Sequence, residues 1–113
     1  GQCSIIVPAM TNTDAISALA ALAQDSRLAI FRLLVQNVPD GLTVGAIAEQ
    51  LDLAAPTLSF HLKTLSHAGL VSTVQEGRFI HCHAEMSRVD GLIAFLTDNC
   101  CGGHPEICSP RRK

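Results

Sequence analysis

The fold is decided by residues 55–65, which read APTLSFHLKTL. Leu58, Leu62 and Leu65 recur at the i, i+4, i+7 spacing of one helix face, so these three side chains are expected to face a core. Pro56 suits the first turn of a helix, where its fixed φ and missing N–H are tolerated. The stretch therefore predicts a short amphipathic helix whose other face is free.

Similar signals place further helices on both sides of this one. Hydroxyl residues that can cap a helix precede apolar residues at helical spacing. The predicted helices are one beginning at Thr13 with Thr11 or Thr13 as its cap, Arg27–Gln36 capped by Ser26, Val44–Leu51 capped by Thr43, Ala55–His67, and a last one from about Ser87 to Asn99. The second helix is expected to bury its apolar residues, which are Leu28, Ile30, Phe31, Leu34 and Val35.

Two β-patterned runs follow the fourth helix. Residues 70–74 and 79–84 are joined by a turn that contains Gly77, which is typical of a β-hairpin. The order of elements is therefore α-α-α-α-β-β-α, mainly α with a small β-hairpin. The third and fourth helices, with the tight link at residues 52–55, predict a winged helix-turn-helix in which the hairpin is the wing.

The free face of the fourth helix suits contacts with DNA. A helix fits the major groove, where its exposed side chains reach base edges and phosphates. The residues predicted to bind DNA are Pro56, Thr57, Ser59, Phe60, His61, Lys63 and Thr64 on the helix, with Arg78 on the wing. Phe60 is expected to meet a thymine methyl group or to pack at the core edge, and Arg78 to enter the minor groove or meet a phosphate. A merely solvated face is the competing interpretation, which the order of helix, turn and wing disfavours.

Charge and composition restrict the class of protein. The chain has 113 residues, 48% hydrophobic and 16% charged, which is typical of one globular domain. A net charge of −2 is unusual for a DNA-binding protein, but residues 53–83 hold Lys63 and Arg78 against one acid, Glu76. No apolar run approaches the roughly 20 residues that cross a bilayer, and no targeting signal is seen, so a cytoplasmic protein without membrane contact is expected.

The chain is interpreted as three segments. The winged helix-turn-helix domain for DNA binding and dimerisation is expected over residues 11–99. Residues 1–10 are interpreted as an N-terminal extension or a cloning remnant, and residues 100–113 as an irregular tail with cysteines. Nothing supplies an oxyanion hole or a substrate cleft, so an enzyme is not expected. No cofactor is expected to be required for folding.

A family resemblance rests on Pro56–Leu65, on the following Ala68-Gly69-Leu70-Val71 and on Glu76-Gly77-Arg78. These residues resemble the ArsR/SmtB family of winged-helix repressors, and the likeness extends over about residues 14–99. It implies a homodimer held by the first and last helices. Such a dimer sits on an inverted-repeat operator and is released when a metal or metalloid binds. The implied partners are double-stranded operator DNA and a second copy of the chain.

Cysteines are the sharpest chemical feature. Cys100 and Cys101 are adjacent, Cys108 follows seven residues after Cys101, and Cys82 lies on the second wing strand. Soft thiolates select soft ions, and trivalent arsenic or antimony binds two or three sulfurs. Cys100 and Cys101 are therefore the predicted metal or metalloid ligands, with Cys82 or Cys108 as the third. Two thiols would favour a methylated arsenical, whereas three would favour arsenite or antimonite.

The resemblance also narrows the type of sensor. Some members of the family carry a Cys-x-Cys pair in the third helix, and this chain does not match them because residues 43–48 hold no thiol. Others bind zinc through a histidine in the last helix, and the last helix of this chain has no histidine. The chain instead resembles members with a C-terminal vicinal cysteine pair, which respond to trivalent arsenicals. A metalloid-responsive repressor is predicted, with a thiol redox or persulfide sensor and a zinc or cadmium sensor as alternatives. His81 and His83 should share the strand face opposite Cys82, as solvated histidines rather than zinc ligands.

Overall fold

The computed structural model of the protein describes residues 10–98. Within that range it has five helices and three strands, which are α1 (Asn12–Leu22), α2 (Asp25–Val35), β1 (Leu42–Thr43), α3 (Val44–Leu51), α4 (Ala55–His67), β2 (Val71–Glu76), β3 (Phe79–Ala84) and α5 (Met86–Leu96). The winged helix-turn-helix order is confirmed, and the short strand β1 is added to it. Almost all of the extension at 1–10, and the tail at 100–113, lie outside the described residues.

Helix caps show where local sequence decides the boundaries. Thr11 caps α1 in a capping box, in which its Oγ1 accepts from the Asp14 amide at 3.0 Å and the Asp14 carboxylate accepts from the Thr11 amide at 3.5 Å. The prediction that Ser26 caps α2 was wrong, because the Oε1 atom of Gln24 accepts from the Arg27 amide at 2.9 Å and starts the helix earlier. The predicted cap of α3 by Thr43 is confirmed.

The wing is part of a small antiparallel sheet. Among the described residues the strand order is β1-β3-β2. Cys82 in the central strand faces Leu42 of β1 on one side and Thr73 of β2 on the other. The hairpin of β2 and β3 is thereby tied to the segment that leads into α3, so the wing and the helix-turn-helix form one body.

The core is built from aliphatic side chains of α2, α3, α4 and the sheet. Its fully buried members include Ile30, Leu34, Ile47, Leu58, Leu65, Leu70 and Cys82. Leu28 was expected to be buried with them but is 43% exposed. The buried stripe of α2 instead runs through Ile30, Phe31 and Leu34, and Leu28 lies beside it.

The outer helices leave large apolar side chains exposed. In α1 the buried residues are the alanines Ala15, Ala18 and Ala21, whereas Ile16 and Leu19 face outward. Helix α5 packs against α1 and likewise exposes two of its large apolar residues, Ile93 and Leu96. No helix within residues 10–98 is long and apolar enough to cross a membrane.

Candidate nucleic-acid interface

The turn between α3 and α4 sets the direction of the exposed helix. Asp52 ends α3 with a left-handed backbone (φ 54°), and the Leu53 amide donates to the Ala48 carbonyl at 3.0 Å. The chain then extends at Ala54 before Pro56 enters the first turn of α4. Helix α4 is held on one side by α1, α2 and α3, so its opposite side is available for contacts.

The exposed side of α4 carries most of the residues predicted to bind DNA. Those exposed to solvent are Pro56, Thr57, Ser59, Phe60 and Lys63. Phe60 is 63% exposed, so of its two expected positions it takes the outward one. Thr64 is half-buried and donates its hydroxyl to the Phe60 carbonyl at 3.2 Å, one turn earlier in the helix. This face combines hydroxyls, one cation and an aromatic ring, which suits a DNA groove.

His61 does not belong to this face, and its predicted exposure was wrong. Its side chain is only 8% exposed, and its Nδ1 atom lies 3.3 Å from Nη1 of Arg27. The reason is helical spacing, because position 61 is i+3 from Leu58 and i−4 from Leu65, both of which are buried. The same spacing in the sequence could have identified His61 as a core-facing residue. The sequence did not predict that Arg27 would be the partner of His61.

The wing presents Arg78 at the tip of the hairpin. Arg78 is exposed and follows Gly77, whose positive φ of 65° makes the tight turn between β2 and β3. On the outer face of the sheet, Nε2 of His81 lies 3.4 Å from Oε1 of Glu76. His83 and His81 lie on the opposite face from the buried Cys82, as the strand alternation predicted.

Of the four predicted effector ligands, Cys82 is the one in the described part of the chain. Its side chain is fully buried, and burial raises the pKa of its thiol from 9.0 to about 11. Cys82 is therefore a protonated core residue at neutral pH, not a preformed thiolate ligand. Cys100, Cys101 and Cys108 lie outside the described residues. Within residues 10–98 no group of three or more His, Cys, Asp or Glu side chains is placed to hold a metal ion.

Known proteins share this architecture. Residues 22–74, from the end of α1 into β2, match a family described as a helix-turn-helix domain. An uncharacterized HTH-type transcriptional regulator from Bacillus subtilis, YceK, is 40% identical over 58 residues, which are 51% of this chain and 57% of YceK. The chain thus spans little more than half the length of that curated relative.

Solved structures extend the likeness to nearly the whole domain. A homodimeric winged helix-turn-helix DNA-binding domain from Mycobacterium bovis, described as a possible ArsR-family transcriptional regulator, is 27% identical. It has a TM-score of 0.61, with 81% of this chain and 85% of that chain covered. HlyU from Vibrio cholerae is 31% identical with a TM-score of 0.64, covering 79% of this chain and 94% of HlyU.

The chain belongs to the ArsR/HlyU family of winged helix-turn-helix transcriptional regulators. Regulators of this family bind DNA. The segment that matches the helix-turn-helix family, residues 22–74, contains all of α3 and α4. A second solved form of the Vibrio cholerae relative is described as reduced HlyU, with 31% identity, a TM-score of 0.63 and coverage of 79% of this chain and 90% of that one.

Proposed function

We propose that this ArsR-family regulator is a homodimeric repressor that leaves its operator DNA when trivalent arsenic or antimony binds its cysteines. The observation that carries the DNA-binding part is the solvent-facing side of α4, where Thr57, Ser59, Phe60 and Lys63 are all exposed. Arg78 at the tip of the wing adds a second exposed cation. Together they offer phosphate contacts and base contacts from one rigid body.

Exposed apolar residues on the outer helices support the homodimer. Ile16 and Leu19 of α1 are 58% and 43% exposed, and Ile93 and Leu96 of α5 are 55% and 57% exposed. Because α1 packs against α5, these side chains lie on neighbouring helices. Contiguous exposed apolar surface is typical of an interface, and a two-fold dimer would present two α4 helices to an inverted repeat. The Mycobacterium bovis relative is described as homodimeric.

The cysteine pattern supports the effector. Cys100 and Cys101 supply two adjacent soft ligands, and we propose Cys108 as the third, because Cys82 is buried and its thiol has a pKa raised to about 11. Trivalent arsenic held by these thiols would draw the chain after α5 together. We propose that this changes the packing of α5 in the dimer and hence the spacing of the two α4 helices.

A thiol redox switch is the second candidate function. It is favoured by the likeness to HlyU, one solved form of which is described as reduced. In this scheme a disulfide among Cys100, Cys101 and Cys108 would replace the metalloid. The protected Cys82 thiol would take no part.

Titration of an operator complex tests both schemes. The duplex is selected from a random library by the wild-type protein, and its dissociation is followed by fluorescence anisotropy with arsenite, methylarsenite, antimonite or hydrogen peroxide. We expect release by a trivalent metalloid, loss of the response in Cys100→Ser and Cys101→Ser, and an unchanged response in Cys82→Ala as matched control. Release by peroxide but by no metalloid would replace the first scheme with the second. A wild-type protein that selects no duplex would overturn the repressor itself.

A further inference from the structure

The guanidinium group of Arg27 joins three helices. Arg27 lies in the first turn of α2, and its Nε donates to the carbonyl oxygen of Ala21 in the last turn of α1 at 2.7 Å. Its Nη1 lies 3.3 Å from Nδ1 of His61, in the middle of α4. One side chain therefore connects the end of α1 with the helix that carries the DNA-binding face.

The contact with α1 is favourable on electrostatic grounds. The last carbonyls of a helix have no partner within the helix and form the negative end of its dipole. Helix α1 has no basic residue in its own last turn. Arg27 therefore supplies from α2 the cation that this helix end lacks, through a short charge-assisted hydrogen bond to Ala21.

The contact with α4 fixes the chemical form of His61. A guanidinium group only donates hydrogen bonds, so the Nδ1 atom of His61 must be the acceptor. In this contact the ring proton is carried on Nε2. A proton on Nδ1 would instead set one N–H group against another at this contact.

His61 is well placed to control the rotation of α4. It lies directly after Phe60 and two positions before Lys63, and both of these face solvent. In a rigid helix a rotation that moves His61 moves these exposed side chains by the same angle. Aliphatic contacts of Leu58, Leu62 and Leu65 are non-directional, whereas the hydrogen bond from Arg27 has a fixed direction.

We infer that Arg27 is a positioning residue for DNA recognition, which holds α4 at a fixed rotation relative to α1 through its hydrogen bond to the ring of His61. The inference rests on the proposed function for what α4 binds, but the contact itself is a property of the free protein. Because α1 also carries the proposed dimer surface, Arg27 links that surface to the DNA-binding helix.

Operator affinity of matched arginine variants tests the positioning role. Arg27→Met removes both donors and keeps an apolar stem, whereas Arg32→Met removes an exposed cation from the same helix with the same change in charge. We expect the affinity for operator DNA to fall roughly tenfold in Arg27→Met and less than about twofold in Arg32→Met. Both variants should stay folded and should keep the oligomeric state of the wild type. Equal affinities of the two variants would overturn the inference.

Substitution of His61 separates positioning from simple loss of packing. His61→Leu removes the acceptor and should bind as weakly as Arg27→Met, while His61→Asn keeps an acceptor close to the Nδ1 position and should retain most of the affinity. The double variant Arg27→Met/His61→Leu should be no weaker than either single variant, since both remove one contact. Additive losses, or no recovery in His61→Asn, would show that Arg27 and His61 act independently.

The ring tautomer gives a readout that needs no DNA. Nitrogen–proton NMR of the histidine side chains in the free protein should show His61 protonated on Nε2 at neutral pH, and this preference should be lost in Arg27→Met. A wild-type ring protonated on Nδ1 would overturn the contact. If the wild-type protein bound no duplex, the proposed function and the affinity part of this inference would both fall, while the NMR result would still decide the contact.

Discussion

The guanidinium group of Arg88 in α5 lies over the backbone of Gly69, one residue after the cap that ends α4. A Cβ atom at Gly69 would lie 2.5 Å from Nη2 and 2.7 Å from Nε of Arg88. The same guanidinium group approaches Asp14 of α1, with Nη1 at 3.8 Å from Oδ2. Arg88 thus sits where α1, α5 and the end of α4 meet.

Gly69→Ala is expected to destabilise the protein. Gly69 has φ +79°, in the left-handed region that costs a residue with a side chain roughly 1 kcal/mol. The added methyl group would also displace Arg88 and weaken its contact with Asp14. We expect the free energy of unfolding to fall by about 1–2 kcal/mol in urea titrations, and the melting temperature to fall by several degrees.

Gly45→Ala is the matched control for this substitution. Gly45 lies in α3 with negative φ, and a Cβ atom there would meet nothing within 4 Å. Alanine favours a helix over glycine by up to about 1 kcal/mol, so this variant should be as stable as the wild type or slightly more stable. Both variants are compared at one protein concentration, because dimerisation makes stability depend on it. Equal stability of the two variants would contradict the role of the backbone at Gly69.

The buried thiol of Cys82 makes stability fall at alkaline pH. Burial raises its pKa from 9.0 to about 11, so between these values the unfolded chain loses this proton while the folded protein keeps it. The contribution of Cys82 is therefore intact below about pH 9 and is lost as the pH rises through about 11. Relative to Cys82→Ala, the wild type should lose roughly 1–2 kcal/mol of unfolding free energy between about pH 8 and about pH 10.5.

Alkylation provides an independent measurement on Cys82. Peptide-resolved mass spectrometry after iodoacetamide at neutral pH should show residue 82 unmodified in the folded protein and modified in urea, because the protonated, buried thiol is a poor nucleophile. Rapid modification of the folded protein at this residue would mean that the core around β3 opens readily.

Local sequence patterns were sufficient for the helices and the hairpin. The Leu58, Leu62, Leu65 spacing identified the buried side of α4, and Thr43 identified the start of α3. Strand β1 was not predicted, because two residues carry no periodicity and Leu42 becomes a strand residue only by pairing with Cys82. Such pairing is decided by the tertiary fold.

The candidate site was predicted less completely, for a similar reason. The exposure of four α4 residues could be predicted, because they do not lie on the helix face of the buried leucines; they are Thr57, Ser59, Phe60 and Lys63. The partner of His61 could not be predicted from the sequence in this way. Arg27 is 34 residues away in the chain and contacts His61 only because α2 packs on α4. In α1 the alanines Ala15, Ala18 and Ala21 fill the buried side, so the large residues Ile16 and Leu19 face outward.

Lys63 and Arg78 should contribute to DNA affinity through phosphate charges. Each phosphate contact releases counterions, so removing one lowers the salt dependence of binding by about one unit in a plot of log K against log salt. We expect Lys63→Met and Arg78→Met each to weaken operator binding and to reduce this slope by about one, measured by fluorescence anisotropy at several salt concentrations. Arg32→Met removes an exposed cation from α2 and should leave the slope unchanged.

Ile93→Glu should separate the proposed dimer. Ile93 is 55% exposed on α5, so a single chain tolerates glutamate there, whereas a two-fold interface would bury two carboxylates in apolar surroundings. We expect light scattering coupled to size-exclusion chromatography to give the mass of two chains for the wild type and of one chain for the variant. Val74→Glu, at a 46% exposed position on the wing, is the control and should keep the mass of two chains. If Ile93→Glu kept that mass while Val74→Glu lost it, the interface would lie on the wing and not on α1 and α5.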